Sequence, residues 1–229
     1  MIRRHCGAAM LEFLVAGMLV LLPLTFAALE FAQLLVARNA LNYATFEAAR
    51  AGAVHGASRS EMRAALARAL VPLFAPLDPL AVLRGAPDAV AAGAGAAARA
   101  LLRATLEVQR PDLTRLEIEN PGPAAVADFS ALDEDGELVI PNDGLDQRNP
   151  FGATSGQTLR EANLLAIRVR YCRALVMPVI DRLLPAMLRW STADPFDQLC
   201  LAQGRVPIDA SAVIHMQTAL RAGEVVGGR

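Results

Sequence analysis

The chain has 229 residues with 22 basic and 23 acidic side chains, a formal net charge of −1. That length admits one or two modest domains rather than a large multi-domain enzyme, and near-neutrality supplies no field of the kind that gathers nucleic-acid phosphates, so no nucleic acid is expected as a partner. Every basic residue is arginine, which reads as codon bias that also inflates alanine; the 54% hydrophobic content and mean hydropathy of +0.34 nevertheless exceed what a soluble domain needs, and the excess is concentrated at the N-terminus.

From Ala8 to Leu29 the sequence AAMLEFLVAGMLVLLPLTFAAL holds a single charge, Glu12. A helix of this length spans a hydrocarbon core of ~30 Å. Arg3, Arg4 and His5 precede it, so the positive-inside bias keeps the start cytoplasmic and exports the remainder. Three readings compete: a cleavable secretory signal ending near Thr25-Phe26-Ala27, a permanent anchor, and a third that accounts for Glu12. An acidic residue at the centre of a span costs about 2.5 to 3.5 kcal/mol on insertion scales, and a carboxylate in such a place is by default a functional group.

Gly7 closes the basic leader RRHCG, and the chain continues AAMLEF, with Glu12 the fifth residue after the glycine and Phe13 directly behind it. This string resembles the type IV prepilin signal. The continuation EFAQLLVARNALNYATFEAARAGAV, Glu30 to Val54, resembles the helix of TadE-like proteins, the minor pseudopilins of tight-adherence (Flp-type) pili, with a weaker echo in RVPIDASAVIHMQT near the C-terminus. The resemblance implies cleavage between Gly7 and Ala8 by a prepilin peptidase, and a role for Glu12 and Phe13 in assembly. It further implies other pseudopilins, the inner-membrane assembly platform and membrane lipid as partners. The implied protein is not an enzyme, uses no cofactor, and helps initiate or support assembly of a pilus for adhesion and biofilm formation. It is placed in the inner membrane as a single-pass protein with a cytoplasmic N-terminus, or in the pilus. His5-Cys6 departs from the basic or polar pair expected before the glycine, which bears on cleavage efficiency. The rival reading is an anchored or secreted periplasmic enzyme or binding protein with an ordinary signal segment.

Beyond Leu29, the apolar Phe31, Leu34, Leu35, Leu41 and Tyr43 to Phe46 recur at roughly helical spacing among Gln33, Arg38, Asn39, Asn42 and Glu47, which predicts that the helix continues. Ala51 to Gly56 loosen the pattern. Ser58 and Glu61 suggest a capping box for a helix over 61–71, which Pro72, Pro76 and Pro79 end. Pro87 opens a third, alanine-rich helix that is firm from Ala96 to Gln109. Period-two alternation then predicts strands around Leu116 and Ile118, over Leu138 to Ile140, over Leu165 to Tyr171, and over Val206 to Met216, with helices near 178–189 and 196–202 before the last strand. The expected organisation is a leader over 1–7, a long helix over 8–54, an exported α+β domain over 55–221 with an antiparallel sheet packed on the long helix, and a loose tail over 222–229.

Of the three cysteines, Cys6 falls in the leader, whereas Cys172 and Cys200 share the exported side. In an oxidising compartment that pair reads as a disulfide, with two separate buried thiols as the alternative. The acidic run Asp133-Glu134-Asp135-Gly136-Glu137, with Asn142 to Asp146 behind it, fails the EF-hand spacing: aligned on Gly136, it places Ala131 at the first ligand position and Asn142 where a bidentate glutamate belongs. Hairpin turns with solvated carboxylates account for it better. His5, His55 and His215 are scattered and match no metal-ligand spacing, and no phosphate loop or G-x-S-x-G is present, so no catalytic residue and no metal site is nominated. Trp190 is expected in the core or at its rim.

Overall fold

The computed structural model describes residues 6–75, 89–145, 147 and 149–226. Arg3, Arg4, His5, Pro76, Pro79, Pro87, Asp146 and the last three residues of the expected tail lie outside them. The apolar run is helical throughout: α1 (Cys6–Ala16), a π-helical turn (Gly17–Leu21) and α2 (Leu22–Val54) follow one another without a break. The π turn has a local cause in Pro23, which brings no amide proton and crowds the carbonyl four residues back; one wider turn just ahead of it gives the ring room, and Leu22 N–H is satisfied by Gly17 O. Thr25 Oγ1 donates to Leu22 O at 2.8 Å, so that carbonyl also has a partner.

The chain divides into two compact units. The larger comprises residues 38–171 and 209–229. Here the second half of α2 lies with α3 (Arg59–Ala69), α4 (Val71–Phe74), α5 (Ala89–Gln109), β1 (Thr114–Asn120), α6 (Pro123–Phe129), β2 (Ala131–Leu132), β3 (Leu138–Ile140), α7 (Leu159–Ala162) and most of β4 (Leu164–Ala174). The final part of β5 (Arg205–His215), β6 (Leu220–Arg221) and α10 (Ala222–Val226) complete it. β1 and β4 pair antiparallel with Leu116 opposite Val169 and Ile118 opposite Ile167, and the strand order is β1-β4-β5. The alternation seen in the sequence of β4 is the burial pattern of the strand: Leu165, Ile167, Val169 and Tyr171 are all inside. A second three-stranded sheet, β2-β3-β6, is built from strands of two or three residues, too short for period-two patterning to announce β2 and β6.

The face α2 presents to this core differs from the expected one. Leu41, Ala44, Ala48, Ala49 and Ala53 are buried, whereas Tyr43 and Phe46 are exposed. Small side chains let neighbouring elements approach closely, and Gly52 sits at such a close approach: a Cβ there would stand 2.7 Å from Met62 Sδ and 2.9 Å from Leu165 Cδ2. Helix α2 therefore runs through the Ala-Gly stretch to Val54, where Thr218 closes it. Gln217 N–H donates to Ala53 O at 2.9 Å, Gly56 N–H donates to Thr218 Oγ1 at 3.1 Å, and Gly56 and Ala57 turn the chain with φ of 63° each.

Ser58 stands at the N-cap of α3 without capping it, because its hydroxyl lies against Ser60 Oγ at 2.9 Å; the true capping box is Thr158 with Glu161, at the start of α7. The expected loose tail is also ordered from Ala222 to Val226. Glu224 accepts Arg59 N–H on its carboxylate at 3.1 Å and Arg59 Nε–H on its carbonyl at 2.8 Å, and Ala222 is buried. The acidic run forms the β2–β3 turn, with Asp133 N–H donating to Glu137 O at 2.9 Å and Gly136 at φ 76°.

The smaller unit comprises residues 1–37 and 172–208. Between the ends of β4 and β5 the chain makes an excursion containing α8 (Ile180–Leu188) and α9 (Pro195–Ala202). Asp194 caps α9 by accepting Phe196 N–H at 2.8 Å, with Pro195 at the first helical position. Trp190 follows α8 and is 93% exposed, so it belongs neither to the core nor to its rim.

Candidate membrane and assembly segment

Of the residues singled out in the sequence, Gly7, Ala8, Glu12 and Phe13 lie along the first half of this helical path. Gly7 and Ala8 fall in the first turns of α1. Glu12 is exposed, as is Phe13 beside it, and no residue of the apolar window in this stretch is buried inside the protein. An apolar helix with every side bare has no solution in water and is the arrangement suited to a bilayer, where lipid or neighbouring helices cover it. Glu12 is thus a carboxylate set in a bare apolar stretch.

The helix emerges from the apolar run at a second carboxylate, whose role sequence reasoning missed. Glu30 is only 2% exposed. Its Oε2 accepts Met177 N–H at 2.7 Å and Val176 N–H at 3.1 Å. These amides belong to the turn that opens α8, where Val179 adopts φ 75°, a conformation β-branched residues rarely take. A buried carboxylate is tolerable here because it is supplied with aligned backbone donors. A signal for Glu30 was present: it shares one helix face with Ala37, Leu41, Ala44 and Ala48, all buried.

Cys172, at the end of β4, and Cys200, in α9, stand at disulfide distance, with Cα atoms 5.5 Å apart and both side chains buried. They lie at the base of the excursion that carries α8. Arg205 Nη1 donates to Cys172 O at 3.0 Å at the same base. Glu30 and the cysteine pair thus fix the excursion at two points, one on α2 and one on β4.

No curated protein and no solved structure matches the chain. The TadE-like family is one of pilus components, and a single N-terminal apolar helix fits a single-pass membrane anchor in such a component. Residues 7–50 match the model of the family described as TadE-like protein, beginning at Gly7 and running along α1 and α2, which is consistent with a TadE-like protein of the tight-adherence pilus system.

Proposed function

We propose that this chain is a minor pseudopilin that helps initiate or support assembly of a tight-adherence pilus used for surface adhesion and biofilm formation. The observation that carries the reading is the coincidence of three features at one place: the family match starts at Gly7, the bare apolar helix starts in the next turn, and Glu12 is the only charge in that helix before Glu30. In this reading a prepilin peptidase cuts between Gly7 and Ala8. Residues 8–54 form the assembly helix, and residues 55–221 are exported from the inner membrane with the N-terminus left cytoplasmic. Other pseudopilins and the membrane assembly platform are the partners. Exposed large side chains on α2, Phe31, Leu35, Tyr43 and Phe46, support this reading, because an unpartnered apolar helix is what a helix-packed assembly uses. Export also provides the oxidising compartment in which Cys172 and Cys200 join.

The mass of the mature protein tests the reading. A chain beginning at Ala8 is expected in cells with an active prepilin peptidase, and Gly7→Leu should abolish that cut while leaving membrane insertion intact. A mature N-terminus near Ala28, or an uncut Met1, overturns it in favour of a simple secretory signal or anchor.

A further inference from the structure

We infer that α8, with Trp190 at its end, is a second membrane contact: a short interfacial helix that lies on the bilayer surface where the N-terminal span emerges, with phospholipid as its occupant. The inference rests on the reading that residues 8–29 cross a membrane.

The argument starts from the face α8 leaves bare. At 100° per residue, Val179, Leu183, Ala186, Met187 and Trp190 fall within one arc of the helix and its extension. All five are exposed, Met187 at 65% and Trp190 at 93%. The opposite arc is used inside the protein: Ile180 and Pro185 are buried, Leu184 and Leu188 half-buried. The helix is therefore apolar on both sides for two reasons, one face packing inward and the other meeting nothing. Arg182 and Arg189, about two helical turns apart, share one edge of the bare arc, both exposed, where long cationic side chains reach phosphates while their stems cover apolar surface. The half-buried Asp181 lies on the inward side. A tryptophan at the boundary with flanking arginines is the composition that settles at headgroup level.

Lipid is chosen over another protein because of where α8 is tied. Glu30 is the first charged residue after the apolar run that follows Glu12, and it holds the amides of Val176 and Met177, three to four residues before α8 begins. Those bonds place the start of α8 beside the point at which α2 leaves the apolar run. The bare face of α8 is thus carried at the level where the apolar run ends, within reach of the headgroups that flank a span. Val179, the first of the five exposed residues, is held at φ 75° in the same turn.

Trp190 is the sole tryptophan and therefore reports directly on this contact. The full chain is reconstituted in vesicles of phosphatidylethanolamine and phosphatidylglycerol, and Trp190 fluorescence is quenched by doxyl groups placed near the headgroup, by doxyl groups near the acyl-chain end, and by aqueous iodide. A cysteine-free variant with Val20→Cys carries an environment-sensitive dye as the mid-span control. Expected is a blue-shifted emission quenched several-fold more strongly by shallow than by deep doxyl lipid, with iodide access several-fold reduced, and reversal of all three by Leu183→Glu with Met187→Glu. Trp190 open to iodide while the Val20 probe reports lipid overturns the interfacial helix and leaves the span standing. Both probes in water overturn the span and the inference with it. Trp190 shielded from iodide but unquenched by lipid, with shielding that grows with protein density, assigns the face to a second copy and overturns the lipid assignment.

Discussion

The carboxylate of Glu30 accepts the amide proton of Met177 at 2.7 Å, so a residue of α2 at the end of the apolar run is bonded directly to the turn that opens α8. The two residues are far apart in sequence, and the bond acts as a clip between a helix and a loop. Hydrogen bonds to a charged acceptor contribute about 1.5–3 kcal/mol, and a buried donor left without its partner costs about 1–3 kcal/mol.

Glu30→Ala is expected to loosen the 175–179 turn rather than unfold the chain. Amide hydrogen exchange at Val176 and Met177 should accelerate by roughly 5- to 30-fold, the equivalent of one to two kcal/mol of local opening. Glu30→Gln keeps an acceptor oxygen and should lie between the two. Unchanged exchange in the alanine variant would show that the amides find another acceptor and that Glu30 does not hold the turn.

Cys172 and Cys200 are separated by 28 residues, and closing a loop of that size stabilises by roughly 3 to 4 kcal/mol on the chain-entropy account. With export as proposed, both thiols of protein isolated from cells should resist alkylation under denaturing, non-reducing conditions. Cys172→Ser with Cys200→Ser should lower the unfolding midpoint of the part of the chain beyond α2 and make it insensitive to reductant, while membrane association through α1 and α2 persists. Two freely alkylated thiols would return the pair to separate buried cysteines.

Asp128 at the end of α6 accepts Ser155 N–H at 2.7 Å and Thr154 N–H at 3.0 Å, and the backbone N–H of Ser155 is the main reason its carboxyl is held below the ordinary 3.8. Glu161 is held below 4.5 chiefly by the backbone N–H of Thr158, in its capping box. A depressed folded pKa means that stability is contributed above the unfolded value and withdrawn as pH falls through the lower folded one. The 149–158 loop should therefore become more open to proteolysis on acidification below about 4, where carboxylates begin to protonate. Asp128→Asn should leave the loop more open at neutral pH and flatten part of that acid dependence, and adding Glu161→Gln should flatten it further. Identical acid profiles for wild type and variants would show that these bonds do not govern the loop.

These contacts show which physical signals a single sequence carries. The alternation Leu165, Ile167, Val169, Tyr171 announces β4 because a strand buried on one face repeats every two residues, and the prolonged helix is legible because apolar residues persist past Leu29. The buried face of α2 is harder to read, since it is made of alanine in an alanine-biased chain; the large residues that draw the eye, Phe31, Leu35, Tyr43 and Phe46, point outward. Thr218 and Asp128 act through backbone groups far along the chain, and such pairings leave no periodic trace; for Glu30 the shared helix face marks its burial but not the amides it accepts. Ser58 has the spacing of a cap yet bonds Ser60, whereas Thr158 performs the capping for which that spacing is known.

Glu12 is where an assembling subunit and a merely anchored one part company. If the chain is cut after Gly7, the new amine at Ala8 and the Glu12 carboxylate lie about 6 Å apart along the helix axis, one positive and one negative group at the membrane edge. Leaving either buried alone costs several kcal/mol, while a pair about 4 Å apart at an effective dielectric near 20 regains about 4 kcal/mol. Meeting across two subunits, amine of one to carboxylate of the next, satisfies both charges in a single axial register, and the exposed position of Glu12 and Phe13 leaves them open to such a neighbour. Glu12→Leu and Glu12→Gln should therefore leave insertion and the Gly7–Ala8 cut largely intact but reduce piliation, adhesion and co-purification with other pseudopilins. Wild-type piliation and adhesion by a correctly cut Glu12→Leu protein would mean that the carboxylate rests protonated or reaches the interface without a partner, and would favour an anchored protein that never assembles.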